Sequence, residues 1–295
     1  MTLLVVATYP VEGGPLVLGP AFLETDGSLR VGDAAVPHAQ GTAAMLGAAC
    51  AASRYLGTSA PWALIAGDIG RGDGTRAVFN ALPAALAQAR PSVVAFHYLQ
   101  PIMALMREAV GAVEREAPGA LLVADAGGMY AAKAAGLASR FELMTPDVGE
   151  LGFLADPAAT HPAYVSHYLF GTDGFDPVKL SGLAHERGGA ARVLIVKGEI
   201  DHIAEQGEVV ATVAEPLVPA LEAIGGTGDT LAGLASAFLA AGFPTLDAAV
   251  CAARANREAG RVMGATPAMR ARDLVAALPD VLRDNLCAWS GACAL

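Results

Sequence analysis

The sequence predicts an α/β chain whose largely parallel sheet is covered by helices on both faces. Short apolar runs alternate with longer stretches of helical periodicity, the rhythm of βαβ units. Polar or glycine-rich segments directly follow four of these runs: Gly67-Asp68, Asp125-Ala126-Gly127, Thr145-Pro146-Asp147-Val148-Gly149-Glu150 and Lys197-Gly198. Strand tips of this composition are where open α/β sheets gather ligands. The third observation is Gly225-Gly226-Thr227-Gly228-Asp229-Thr230-Leu231-Ala232-Gly233, a glycine-crowded turn that opens an apolar-periodic helix.

In order, residues 3–8 read as a strand, followed by glycine turns and a short β-like region to Val36. An alanine-rich helix over 41–56 closes at Gly57, and 62–66 is a buried strand leading to a helix over 75–89. Strand 92–96 precedes helix 102–116; strand 121–124 precedes helix 130–138; strand 141–144 precedes a helix beginning at 147. The stretch 155–176, rich in proline and aromatic residues with few helix signals, reads as a long loop. Helix 180–187, strand 193–196 and two short strands turning at Gln206-Gly207 come next. The glycine-led helix and helices over 245–262 and 270–282 complete the pattern. No linker composition interrupts it, so the 295 residues are expected to form one domain.

The glycine stretch has a chemical reading. Leu231, Leu234, Ala235, Phe238 and Leu239 repeat at the spacing of one buried helix face, which puts Gly225, Gly226, Thr227 and Gly228 at the N-terminus. Backbone N–H groups there lack partners and the helix dipole is positive, so an anion is welcome. Asp229 lies in the first turn beside that anion. Amides that hold charge next to a carboxylate that takes a proton suit phosphoryl transfer to a hydroxyl. The structural alternative is a glycine-rich turn with Asp229 as an ordinary acid of a helix start.

Composition limits the partners. A net charge of −10 argues against a nucleic-acid backbone. No apolar segment is long enough to span a bilayer and no basic leader is present, so a cytoplasmic protein is expected, with no membrane partner. Cys50, Cys251, Cys287 and Cys293 have no metal-finger spacing; Cys50 and Cys251 read as buried packing residues, and Cys287 and Cys293 could pair, with reduced thiols the expectation. His161 and His167 lack a third ligand at metal spacing. Neither a P-loop nor a nucleophile elbow is present, and Gly70, Gly72 and Gly74 do not have dinucleotide-binding spacing.

Taken together, the motifs resemble the ribokinase-like superfamily, in particular the carbohydrate-kinase branch that includes ATP- or ADP-dependent NAD(P)H-hydrate dehydratases. The stretch 225–233 is similar to that branch's signature almost residue for residue. Thr145-Pro146 with Gly149-Glu150, Val193 to Gly198, Asp125-Ala126-Gly127, and Arg272-Asp273-Leu274-Val275 with Leu278-Pro279 resemble its other motifs. The likeness covers about 120–282; before that, only 40–57 is similar. The branch's lysine-glycine opening and its tyrosine-bearing glycine segment are absent, and Glu215-Pro216-Leu217 replaces its asparagine-glycine. Phosphate-facing parts match while substrate-facing parts differ.

The resemblance implies a three-layer α/β/α ribokinase-like fold, ATP (or ADP) and Mg2+ as cofactors, and a small-molecule hydroxyl as acceptor. It implies Asp229 as general base, with Gly226, Thr227 and Gly228 as the anion hole and Gly225 at its edge. Glu150 is similar to the glutamate that orders magnesium through water. Asp147 stands where relatives carry asparagine or histidine and is a further substrate-binding candidate, able to touch phosphate-bound magnesium or water. Lys197 can meet nucleotide phosphates as a point charge, with Gly198 as its turn, or be a surface lysine at a strand end. Asn256 is a candidate for the adenine side. Asp68, Asp125 and His97 sit at strand ends as substrate-binding candidates. For the two aspartates the alternative is turn formation, and for the histidine it is packing. Three outcomes remain open: a kinase with a stable product, a hydrate dehydratase that expels phosphate after the same first step, or a silent nucleotide-binding protein. The surface strands and the aromatic loop leave a homodimer open.

Overall fold

The computed structural model describes residues 1–37, 40–159 and 176–291. Residues 160–175 of the loop expected over 155–176, with His161 and His167, lie outside the described residues. The strands are β1 (Leu3–Tyr9), β2 (Val17–Leu23), β3 (Leu29–Val31), β4 (Ala34–Val36), β5 (Trp62–Gly67), β6 (Val93–His97), β7 (Leu121–Asp125), β8 (Leu143–Met144), β9 (Val193–Val196), β10 (Asp201–Glu205) and β11 (Glu208–Val213). They form one sheet in the order β11-β10-β9-β8-β7-β6-β1-β5-β2-β3-β4. From β9 to β5 every neighbouring pair is parallel. Both ends are antiparallel ribbons.

The helices are α1 (Thr42–Tyr55), α2 (Asp73–Ala89), α3 (Met103–Glu116), α4 (Gly127–Ala134), α5 (Val148–Ala155), α6 (Pro177–Glu186), α7 (Thr227–Ala240), α8 (Thr245–Val262) and α9 (Ala271–Ser290). Alternate residues of β1 enter opposite cores. Leu3, Val5 and Ala7 pack with buried residues of α1, α7, α8 and α9. Leu4 and Val6 pack with those of α2 to α6. A strand buried on both faces reads as a continuous apolar run, as β1 does. The expected three-layer α/β/α architecture is therefore present.

Several helix boundaries differ from expectation: α2 starts at Asp73, α6 starts at Pro177 and α4 ends at Ala134, and two further differences have a packing reason. α4 starts at Gly127 rather than 130, because Gly127 and Gly128 act as helix residues that let α4 press on the β6 strand end and the residues after it. A Cβ at Gly128 would stand 2.1 Å from the Phe96 carbonyl oxygen, and one at Gly127 2.4 Å from that of Leu99. α9 continues past 282 because Leu286 extends its buried stripe. Cys287 is disulfide-bonded, against the expectation of reduced thiols, and its partner lies outside the described residues. Cys50 and Cys251 are buried free thiols. No helix among the described residues is long and apolar enough to cross a membrane.

Candidate active site

The parallel register brings the site together. His97 at the end of β6 pairs with Asp125 at the end of β7, and an isolated parallel bridge sets Asp147 beside Lys197. α7 then delivers Asp229 from the helix layer. Its N-cap, Gly226, has φ of 99°, a left-handed conformation that glycine adopts without Cβ strain. Being glycine, Gly226 has no side chain to cap this helix start. An α-helix gives the N–H groups of its first turn no partner of its own.

Asp229 is 7% exposed. Its Oδ2 accepts from the Gly41 N–H at 2.9 Å and its Oδ1 lies 2.8 Å from His97 Nε2. His97 is fully buried, and its Nδ1 lies 3.0 Å from Thr42 Oγ1. The Lys197 ammonium donates to Asp125 Oδ1 at 3.0 Å and lies 3.9 Å from Glu150 Oε2. A chain of alternating charge thus runs from Asp229 through His97, Asp125 and Lys197 to Glu150.

Burial opposes the charges of Asp125, Lys197 and Glu150, and the partners of each decide the outcome. It pushes the Asp125 carboxyl up, but Lys197 and His97 outweigh it and hold the group well below the usual carboxylate range. It pushes Lys197 down, and Asp125 and Glu150 more than reverse the shift. For Glu150 burial wins: its carboxyl is raised despite the Lys197 ammonium. Its oxygens are engaged by the Asp147 N–H (2.9 Å) and the Tyr130 hydroxyl (2.6 Å), while Asp147 accepts in return from the Glu150 N–H. This reciprocal capping box starts α5.

Beside the α7 N-terminus lies a cavity of about 610 Å³ whose lining includes Asp147, Lys197, Gly198, Thr227, Gly228 and Asn256. A Cβ at Gly228 would stand 3.1 Å from Lys197 Nζ, so glycine there lets the ammonium lie over the helix start. Asn256 braces that start from α8: its amide donates to the Thr227 carbonyl at 3.1 Å, and it accepts from the Thr230 hydroxyl at 2.6 Å. Gly225 is covered by Gln40, whose Oε1 would meet a Cβ at 2.4 Å.

The chain matches the family described as NAD(P)H-hydrate dehydratase over residues 103–280. The chain belongs to that family. An uncharacterized protein of Methanocaldococcus jannaschii, MJ1337, is 34% identical over 242 residues, which is 82% of this chain and all of that protein. Among solved structures, Bacillus subtilis YxkO, described as a putative kinase, superposes with a TM-score of 0.56 at 16% identity, over 96% of this chain and 92% of that one. Pyridoxal kinase from Entamoeba histolytica gives 0.55 at 13%, covering 95% and 96%. Staphylococcus aureus pyridoxal kinase, solved with AMP-PCP and pyridoxal, gives 0.51 at 14%, covering 88% and 87%. The fold is ribokinase-like.

Of the residues singled out from sequence, Asp229, His97, Asp125, Lys197, Asp147 and Glu150 stand in one connected cluster. Gly226, Thr227, Gly228 and Asn256 form its helix-start side. Asp68 is elsewhere, at the end of β5. Its Oδ1 accepts from the N–H groups of Gly70, Arg71 and Gly72, and its Oδ2 from Thr75. That carboxylate organises the loop before α2. Sequence reading missed Gly41, whose contribution is a backbone N–H. It also missed Tyr98, a half-exposed ring with φ of 48° whose ring lies 4.3 Å from that of His97. A non-glycine residue held in the left-handed region next to a buried charged cluster is a recognisable signal in structure and has none in sequence.

Proposed function

We propose that the protein is a ribokinase-like small-molecule enzyme that transfers the terminal phosphoryl group of ATP to a hydroxyl. Residue roles follow from what each group faces. The N–H groups of Thr227 and Gly228, with the Gly226 turn and Gly225 at its edge, cradle the phosphates. Lys197 adds positive charge from the cavity side. Asn256 keeps the helix start from fraying and lies on the nucleotide side. Asp229 accepts the proton of the attacking hydroxyl as phosphoryl transfer proceeds; the loose transition state asks for positioning more than for a strong base.

The residues fit a nucleotide: a helix start at a glycine and a lysine over its first turn open onto a cavity of about 610 Å³. Magnesium, when bound, would neutralise charge on the phosphates, and the acids nearest that position are Asp147 and, through water, Glu150. Asp125 holds Lys197, and Tyr98 offers a ring on the acceptor side. Asp68 would serve the acceptor only indirectly, by shaping the loop before α2. The reading extends to a protein expected in the cytoplasm, alone or as a homodimer.

The observation that carries the proposal is the placement of Asp229 in the first turn of a helix that starts at a glycine, with Lys197 over the same turn. Family membership makes the hydrate-dehydratase outcome the first acceptor to test: phosphorylation of the hydroxyl on hydrated NAD(P)H, then loss of phosphate to restore the ring. The second reading, a kinase with a stable product, is favoured by the divergent acceptor side, where Tyr98 stands. Turnover of ATP and of ADP should be measured against hydrated NADH and a panel of sugars and vitamin alcohols. Asp229→Asn should lower kcat by about 10²–10⁴-fold with nucleotide binding kept. Equal turnover in wild type and variant would remove Asp229 from the mechanism, and nucleotide binding with no turnover on any acceptor would favour a silent binder.

A further inference from the structure

The protonation state of His97 can be read from its neighbours. The Thr42 hydroxyl has one proton, and it donates that proton to the Thr8 carbonyl, which can only accept. Its oxygen therefore accepts from His97, so Nδ1 carries a hydrogen. On the opposite side of the ring, Nε2 faces two carboxylates, Asp229 Oδ1 at 2.8 Å and Asp125 Oδ2 at 3.5 Å. A bare lone pair there would repel both. The 2.8 Å separation from Asp229 is that of a proton between two heavy atoms, and imidazole, more basic than a carboxylate, is the end that holds it.

We infer that His97 is a standing imidazolium, a positioning residue that holds Asp229 in place and lets two buried carboxylates remain ionised side by side. The ligand atoms of His97, Asp125 and Asp229 all lie within 4.8 Å of one another. Two carboxylates that close share a proton unless a positive charge stands between them. The groups facing the ring are Asp229 from α7, Asp125 from β7, Thr42 from α1 and the Tyr98 ring; the Tyr98 phenol is raised by burial and by the two aspartates, so it stays neutral and adds no charge to the balance. Lys197, on the far side of Asp125, is occupied by that carboxylate and by Glu150 and does not replace it. Gly41 N–H fixes the second Asp229 oxygen, so the carboxylate plane is clamped at both ends. Burial lowers the imidazole's basicity, but the bonds and charges of the two aspartates exceed it and raise the group to about 9.

The clamp also makes a statement about the reaction, and that part rests on the proposed phosphoryl transfer. Removing the imidazolium leaves the aspartate pair one positive charge short. The pair then takes up a proton, and the group meant to accept the hydroxyl proton is partly filled before the acceptor arrives.

Two measurements test the inference separately. The first needs no substrate: ¹⁵N-detected NMR of the histidine rings in the full-length wild-type protein, with His97 assigned through its contact to the Tyr98 ring. Both ring nitrogens should be protonated at pH 7.5 and should not titrate until about pH 9, where an ordinary imidazole changes near 6.5. An unprotonated Nε2 at pH 7.5 would overturn the imidazolium. So would a stoichiometric divalent metal in the purified protein that shifts the Nε2 resonance and is lost with chelator. The second compares turnover of His97→Gln, which keeps an amide donor without the charge. It should lose 10-fold or more in kcat with unchanged nucleotide affinity, and the acid side of its pH profile should move up by about one unit or more. A wild-type profile in the variant would overturn the positioning role even if the NMR result stood. Absence of turnover in the wild type would count against the proposed function and leave the NMR result to decide the imidazolium.

Discussion

At the scale of single residues, the imidazole in the middle of the cluster has a consequence for the whole chain. A group bound more tightly by protons in the fold than in the unfolded chain ties stability to pH. Here the folded value is about 9 and the unfolded value about 6.5. Below 6.5 both states hold the proton and its stabilisation is complete. Between 6.5 and 9 only the folded state holds it, so stability falls as pH rises, by up to about 3 kcal/mol, and levels off above. Asp125, depressed, acts at much lower pH. Denaturant midpoints measured from pH 6 to 9.5 should therefore decline in the wild type and stay flatter in His97→Gln; a flat wild-type curve would deny the raised imidazole. The residues of this cluster were partly legible beforehand. Asp229, Lys197 and Glu150 each lie in a motif whose chemistry is local. His97 was legible only as a strand-end histidine, because its partners Asp229 and Thr42 are 132 and 55 positions away in sequence. Gly41 was not legible at all, since its role uses a backbone N–H that every residue except proline has.

At the scale of elements, the clamp on Asp229 depends on how closely α1 and α7 pack. Their N-termini supply the Gly41 N–H and the Asp229 carboxylate, so the distance between the two helices sets that bond. Gly233, one turn further along α7, makes the approach possible: a Cβ there would stand 2.2 Å from the Met45 carbonyl oxygen of α1. A backbone atom cannot step aside, so Gly233→Ala should push the helices apart. The expected cost is about 1–3 kcal/mol of stability, the usual range for an overfilled core, together with a loss of turnover larger than the destabilisation alone explains. Chemical denaturation and kcat on the same variant separate the two effects. Retained turnover would show that the α1–α7 spacing does not govern Asp229. In the sequence Gly233 read as the last letter of a motif, and Gly127-Gly128 read as a turn. Both are close-approach glycines inside helices, and glycine spelling does not distinguish a bend from a contact. Helix α8, whose periodicity and breakers are clear, begins and ends where the sequence placed it.

At the scale of the molecule, the alternation of helices and strands gave away the layers but could not give the strand order, because pairing is set by long-range packing. The order matters to the question of domains. β1 lies inside the parallel block, and its side chains alternate between the two cores. Neither helix layer can leave the sheet without exposing one side of the same strand, so the two cores should unfold together. The chain offers a direct measurement, since its two tryptophans report different layers. Trp289 packs against the core of α1, α7, α8 and α9. Trp62 packs against the core of α2 to α6. Equilibrium unfolding of Trp62→Phe and Trp289→Phe, each followed by the fluorescence of the tryptophan that remains, should give the same midpoint once each variant's own change in stability is subtracted using far-UV circular dichroism. Coincident transitions are the mark of one cooperative unit. If the Trp62 signal were lost at a lower denaturant concentration than the Trp289 signal, the α2–α6 layer would be a separate unit. Asp229 and Gly41 would then keep their contact while His97 and Asp125, held by the shared strands, lost theirs.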